Sequence, residues 1–73
     1  MIDSEILKID MIKELALLLM NDNPDQSMEQ ALHTVINSDT YQRLMNDATH
    51  LYYQSPRYVY SFLDNELKTG AVR

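Results

Sequence analysis

Glycine and proline, the residues that most often interrupt helices, are few in this chain and lie between its periodic apolar segments. The 73 residues contain one glycine and two prolines, Gly70, Pro24 and Pro56. Long segments without helix breakers and with few β-branched residues favour helices over strands. We therefore predict an all-α fold, a compact four-helix domain over residues 1–73, with an ordered core at about 4–69 and a frayed tail at 70–73.

The first predicted helix runs from about Ser4 to Asn21, with Asp3 or Ser4 as its N-cap. One apolar stripe comprises Ile2, Ile6, Ile9, Ile12, Leu15, Ala16, Leu19 and Met20. Further apolar side chains lie beyond that stripe, at Leu7, Met11, Leu17 and Leu18. A helix that is apolar over so much of its circumference is either central in the fold or covered on a second side by another chain. A core helix is the first interpretation, and a partner or homodimer seam using Leu7, Met11 and Leu18 is the alternative.

The second and third predicted helices form a short hairpin after a turn at Asn21–Asp25. Ser27 and Gln30 have the spacing of a capping box. A one-sided apolar face then follows at Met28, Ala31, Leu32, Val35 and Ile36. Asn37 is expected to end this helix in the left-handed conformation. Ser38 or Asp39 caps a third helix of about Thr40 to Asn46, whose inward residues are predicted to be Tyr41, Leu44, Met45 and Ala48.

The last predicted helix begins at Ser55-Pro56, because serine is a favoured N-cap and proline a favoured first helical residue. Its core stripe is Val59, Phe62, Leu63 and Leu67. Gly70 is a natural C-cap. Before this helix, the connector from His50 to Gln54 is compatible with an extended segment or one turn of 3₁₀ helix. In this arrangement the long first helix packs across the hairpin, and the last helix closes the domain.

The charge of the chain favours some classes of partner over others. Its net charge is −5 at pH 7. Residues 1–30 hold seven acids and two lysines, whereas acids and bases balance in the remainder. An acidic half repels nucleic acid and anionic lipid, so the sequence predicts a protein partner with a basic surface. No apolar run approaches the length of a membrane span, and the acidic start lacks the positive charge of a signal peptide. A cytoplasmic location is therefore expected, and the absence of cysteine fits it.

Few residues are suited to catalysis or metal binding. Without cysteine, the candidate bases are His33 and His50, and no motif activates a serine. The two histidines lie too far apart in sequence for a helical metal pair, and the turn at Asn21–Asp25 lacks the glycine and glutamate of a calcium loop. A single glycine is incompatible with glycine-rich nucleotide loops. We predict a non-enzymatic protein without metal or cofactor, in which His33 is solvated and His50 is half-buried beside Asp47.

Tyrosines and an arginine cluster around the start of the last helix. The set comprises Tyr52, Tyr53, Arg57, Tyr58 and Tyr60. Tyrosine and arginine are enriched at the energetic centres of protein–protein interfaces. We predict that at least two of these residues contact a partner, and the alternative is that the rings only complete a small core.

A helix-turn-helix over residues 27–45 is a further alternative, since two short helices meet there. The second helix offers Gln42 and Arg43 to base edges, but acids flank it at Glu29, Asp39 and Asp47. A hairpin used for packing is therefore the favoured interpretation of this segment.

Several short motifs resemble a pattern found in small uncharacterised helical proteins of bacteria and their mobile elements. The matching residues are Ala31-Leu32, Ser38-Asp39-Thr40-Tyr41, Leu44, Leu51-Tyr52-Tyr53-Gln54-Ser55-Pro56 and Tyr58-Val59-Tyr60. The resemblance covers roughly residues 27–67 and omits the first helix. Such domains of unknown function are often encoded beside toxin-like ADP-ribosyltransferase domains. The resemblance therefore implies an antitoxin-like or accessory binding partner, and it defines no catalytic residue.

Overall fold

The computed structural model describes residues 4–70 as an all-helical domain, which confirms the predicted fold class. In chain order the elements are α1 (Ser4–Asp22), α2 (Met28–Ile36), α3 (Asp39–Met45), the 3₁₀ turns Asp47–Thr49 and Leu51–Tyr53, and α4 (Pro56–Thr69). No strand occurs between residues 4 and 70. The expectations for Ile2, for Asp3 as a cap and for fraying of the last three residues lie outside the described residues.

The core is built by side chains from every helix. Its buried apolar members are Met11, Leu15, Ala16, Leu19, Ala31, Val35, Leu44, Leu51, Val59 and Leu63. The long α1 packs most extensively against α2 and next against α4, while α3 rests mainly on α4. The hairpin and the closing helix therefore share α1 as their common support.

Local sequence signals set the helix boundaries as expected. Ser27 Oγ accepts the N–H of Gln30 at 3.2 Å, and the Gln30 side chain accepts the N–H of Ser27 at 2.9 Å, which completes the capping box. Ser38 and Ser55 cap α3 and α4 through their side-chain oxygens, which accept the N–H groups of Tyr41 and Tyr58. At the other end of α4, Gly70 has a φ of 79°, a left-handed conformation that glycine adopts at little cost.

The buried face of α1 differs from the predicted stripe. Ile6 and Ile9, assigned to the core, are 54% and 62% exposed. Met11, assigned to a partner seam, is 4% exposed and belongs to the core. The reason is that Lys8 lies on the buried face: its aliphatic stem is covered while its ammonium reaches a carboxylate. An apolar count omits such a residue and misplaces the buried face in the first half of α1, whereas Leu15, Ala16 and Leu19 are buried as predicted.

Smaller corrections concern residues at the edges of the hairpin and of α4. Asn37 ends α2 with a φ of −89°, so it does not adopt the left-handed conformation that was predicted. His50, at the end of the first 3₁₀ turn, is left-handed, with a φ of 53°. Four apolar residues predicted to face the core are exposed: Ile36, Met45, Ala48 and Leu67. In α3 the reason is length, because a helix of seven residues directs only Thr40 and Leu44, one turn apart, fully into the core.

Candidate protein-binding surfaces

Tyr53, Arg57 and Tyr58 form an exposed group around the start of α4, hereafter the tyrosine surface. Tyr53 is 67% and Tyr58 51% exposed, and Arg57 is also exposed. The Ser55 cap and Pro56 fix where α4 begins and so fix the positions of Arg57 and Tyr58 on its first turn. The Tyr58 ring stands edge-on to Phe62 at a centroid distance of 5.1 Å. The structure thus leaves three of the predicted partner residues available on one short stretch of chain.

Tyr52 lies between the tyrosine surface and α1. Its half-buried ring packs against that of Tyr53 at 4.7 Å between centroids. The Lys8 ammonium lies 5.5 Å from the centre of the Tyr52 ring and 2.6 Å from the Asp47 carboxylate. The hydrogen bond to Asp47 raises the pKa of the Lys8 ammonium above its ordinary value. Tyr52 therefore connects Tyr53 to a charged pair that joins α1 to the turn after α3.

Tyr60, also predicted to contact a partner, links two helices. It is half-buried, and its hydroxyl donates to Asp22 Oδ2 at 2.6 Å, at the end of α1. Burial, followed by the hydrogen bond to Asp22, raises the pKa of the Tyr60 hydroxyl well above its ordinary value. Leu7 and Leu18 of the predicted seam are half-buried on α1. The sequence-predicted set is thus divided between buried or half-buried residues and the exposed tyrosine surface.

A second surface, which the sequence did not reveal, lies between α1 and α2. Side chains of Ile9, Ile12, Lys13, Met28 and Leu32 line a shallow depression of about 390 Å³, hereafter the α1–α2 groove. The sequence assigned Ile9, Ile12, Met28 and Leu32 to the core; Ile9 is exposed, and the other three are half-buried and pack against the core. The sequence did indicate that α1 has more apolar residues than one buried face can cover. Some of these extra apolar residues line this groove.

The two histidines, His33 and His50, lie at the surface of the described part of the chain. His33 is exposed, and its ring lies 3.2 Å from the side-chain amide of Asn37. His50 is exposed and not half-buried as predicted, and its backbone N–H donates to the Asp47 carbonyl at 3.2 Å. Over residues 4–70, no group of three histidine, cysteine or acidic side chains is placed to hold a metal ion. Within the same range, no helix combines the length and apolar character needed to cross a bilayer.

The start of α3 carries a negative charge from a distant part of the chain. The Glu66 carboxylate accepts the N–H groups of Asp39 at 2.7 Å and Thr40 at 3.0 Å. In a helix-turn-helix the first residues of the second helix contact base edges. A carboxylate at that position repels an approaching phosphate backbone.

Comparison with known proteins identifies no relative for this chain. No family model, curated protein or solved structure matches it. The tyrosine surface and the α1–α2 groove are therefore the features on which a functional proposal can rest.

Proposed function

We propose that the chain is a non-enzymatic protein-binding module that contacts its partner through the tyrosine surface. The observation that carries this proposal is the exposure of Tyr53 and Tyr58, each more than half accessible, on either side of the start of α4. Rigid tyrosine rings supply contact area at a small entropic cost, and arginine supplies directional hydrogen bonds. Arg57 lies beside Tyr58 in the sequence and is exposed like it.

The charge of the molecule favours a partner with a basic surface. The chain has a net charge of −5, and the excess of acids lies in residues 1–30. Complementary charge raises the rate of encounter and disfavours partners of the same sign. Together with the resemblance of residues 27–67 to small bacterial proteins encoded beside toxin-like domains, this supports an antitoxin-like or regulatory role in the bacterial cytoplasm.

Affinity capture from native lysate tests the proposal, with three forms of the tagged protein compared. The wild type should retain one stoichiometric partner, and the double variant Arg57→Ala/Tyr58→Ala should lose it. Arg43→Ala removes another exposed arginine, on α3, and should retain the partner. Moderate salt should weaken the capture, because the charges involved are exposed.

Three results would overturn this assignment. Equal recovery of the partner by the double variant and the wild type would show that the tyrosine surface is not the contact. Recovery of the bait alone, as a stable homodimer, would favour self-assembly, the alternative derived from the apolar α1. Salt-sensitive duplex binding by the purified protein would instead favour a DNA-binding role for residues 27–45.

A further inference from the structure

We propose that the α1–α2 groove is a second docking site, and that its occupant is an amphipathic helix with basic residues beside its apolar face. This site is formed by elements that do not contribute to the tyrosine surface, so the two proposals can fail independently.

The groove has the composition of a helix-binding furrow. Ile9 is 62% exposed, and Ile12, Met28 and Leu32 are half-buried, so apolar surface remains accessible on both walls. The wall residues are spaced three apart on α1 and four apart on α2, the spacing that aligns side chains along one helix face. A third helix can lay apolar residues of matching spacing between two such rows.

The length of the groove also suits a short helix. Its walls run from Ile9 to Lys13 on α1 and from Met28 to Leu32 on α2. At 1.5 Å per residue each wall is about 6 Å long, so a partner segment of about two turns covers it. Since Lys13 is the single charged residue on the walls, the contact itself is almost entirely apolar.

Charge distinguishes between the occupants that an apolar groove could accept. Every acid between residues 4 and 36 is exposed, namely Glu5, Asp10, Glu14, Asp22, Asp25 and Glu29. Two lysines lie in the same range, and Lys8 is already paired with Asp47. Glu5 precedes Ile9 by four residues, and Glu29 precedes Leu32 by three, so each lies one helical turn from a wall residue. Lysine or arginine residues on the docking helix would meet these carboxylates at short range.

The same charges disfavour a second copy of this chain as the occupant. In a two-fold symmetric contact each subunit contributes the same patch. Two such patches would bring together the acids that flank the walls, Glu5 and Glu29 of each subunit, against one wall lysine from each, Lys13. Anionic lipid and nucleic acid are disfavoured for the same reason. A basic amphipathic helix is complementary to the apolar walls and to the acids that flank them, whereas the one wall charge, Lys13, has the sign of the helix and favours an apolar residue opposite it.

A synthetic peptide pair tests the inference directly. The probe is a fluorescein-labelled amphipathic peptide of about 14 residues, or four turns, with leucine along one face and lysine elsewhere. Its counterpart carries glutamate in place of lysine with the leucines unchanged. Fluorescence anisotropy at moderate salt should show binding of the lysine peptide and none of the glutamate peptide.

Matched variants of the protein separate groove binding from general attraction to an acidic surface. Ile9→Ser should lower the affinity for the lysine peptide at least about tenfold, because it removes the most exposed apolar side chain of the wall. Leu17→Ser changes an apolar residue of α1 that is 41% exposed and does not line the groove, and it should leave the affinity unchanged. Arg57→Ala/Tyr58→Ala should also leave it unchanged, since that variant alters only the tyrosine surface.

Three outcomes would overturn the inference. Absence of lysine-peptide binding would exclude this class of occupant. Equal affinity of the wild type and Ile9→Ser would reduce the interaction to non-specific charge attraction. A dimer in analytical ultracentrifugation that Ile9→Ser dissociates would assign the groove to a second copy. Circular dichroism of each variant ensures that the comparison is made between folded proteins.

Discussion

Glu66 on α4 accepts two hydrogen bonds from Thr40 on α3, from the backbone N–H at 3.0 Å and from the hydroxyl at 2.9 Å. Its other carboxylate oxygen accepts the N–H of Asp39 at 2.7 Å. The first N–H groups of a helix have no partner within it, and a negative charge is stabilising at that end. The Ser38 hydroxyl accepts the N–H of Tyr41 at this end of α3. The Glu66 carboxylate accepts the two preceding N–H groups, those of Asp39 and Thr40.

Neutralising this distant cap should destabilise the fold. We expect Glu66→Gln to lower the free energy of unfolding by about 1–2 kcal/mol, because charge-assisted hydrogen bonds at the start of α3 are weakened. Urea unfolding followed by circular dichroism measures the difference. The control is Asp64→Asn on the same helix, which removes an exposed pair with Lys68 and should cost no more than about 0.5 kcal/mol. Equal losses in the two variants would argue against a capping role for Glu66.

The ion pair between Lys8 and Asp47 predicts which of two variants has the lower thermal midpoint. The side chain of Lys8 is 6% exposed and that of Asp47 71%. Asp47→Asn removes the carboxylate that pairs with Lys8 and leaves a charged lysine that is largely covered. Lys8→Met removes the charge and keeps an apolar side chain of similar length. We expect Asp47→Asn to lower the thermal midpoint more than Lys8→Met. The opposite order would mean that the ammonium contributes net stability through contacts other than Asp47, such as the Tyr52 ring.

Tyr60 should make stability sensitive to alkaline pH. Burial and Asp22 raise the pKa of its hydroxyl above the ordinary value of 10.0. The unfolded chain therefore loses this proton first, so the contribution is complete below pH 10 and is lost as the pH rises above it. The raised pKa of Lys8 acts in the same direction.

The test compares Tyr60→Phe with the wild type in urea at pH 8 and pH 11. At pH 8 the variant should be about 1 kcal/mol less stable, because one hydrogen bond is absent. Between the two pH values it should lose less stability than the wild type. Tyr53→Phe, at an exposed ring, should follow the wild-type profile. Identical slopes for Tyr60→Phe and the wild type would exclude Tyr60 as a source of the alkaline sensitivity.

Features encoded by neighbouring residues could be predicted from the sequence, and features that depend on distant pairs could not. The capping box at Ser27 and the start of α4 at Ser55-Pro56 each need only a few consecutive residues, and both are confirmed. By contrast, Tyr60 and Asp22 are 38 residues apart, and no local pattern shows that they meet. The same separation explains why two of the predicted interface tyrosines proved to have internal partners.

The orientation of α1 was the prediction most affected by long-range packing. Apolar side chains occupy so much of its circumference that two overlapping faces were available. The face that is buried is the one that includes the side chain of Lys8. In that orientation Met11 lies in the core and Ile9 lies at the surface. The α1–α2 groove was missed for this reason, since Ile9 had been assigned to the core, whereas Ile12 is half-buried and packs against it.

A pair of alanine variants tests that orientation. Met11→Ala should lower the free energy of unfolding by about 2–5 kcal/mol, the usual cost of removing a large side chain from a packed core. Ile9→Ala should change it by no more than about 0.5 kcal/mol, because the side chain is largely solvated and alanine favours helix. Both variants shorten an apolar residue of the same helix, so their difference reports burial.

Comparable losses at the two positions would mean that α1 is rotated towards the stripe predicted from its apolar residues, or that Ile9 is covered by a second chain at the concentration used. Repeating the measurement over a tenfold range of protein concentration separates these two explanations, because only association makes the apparent stability depend on concentration.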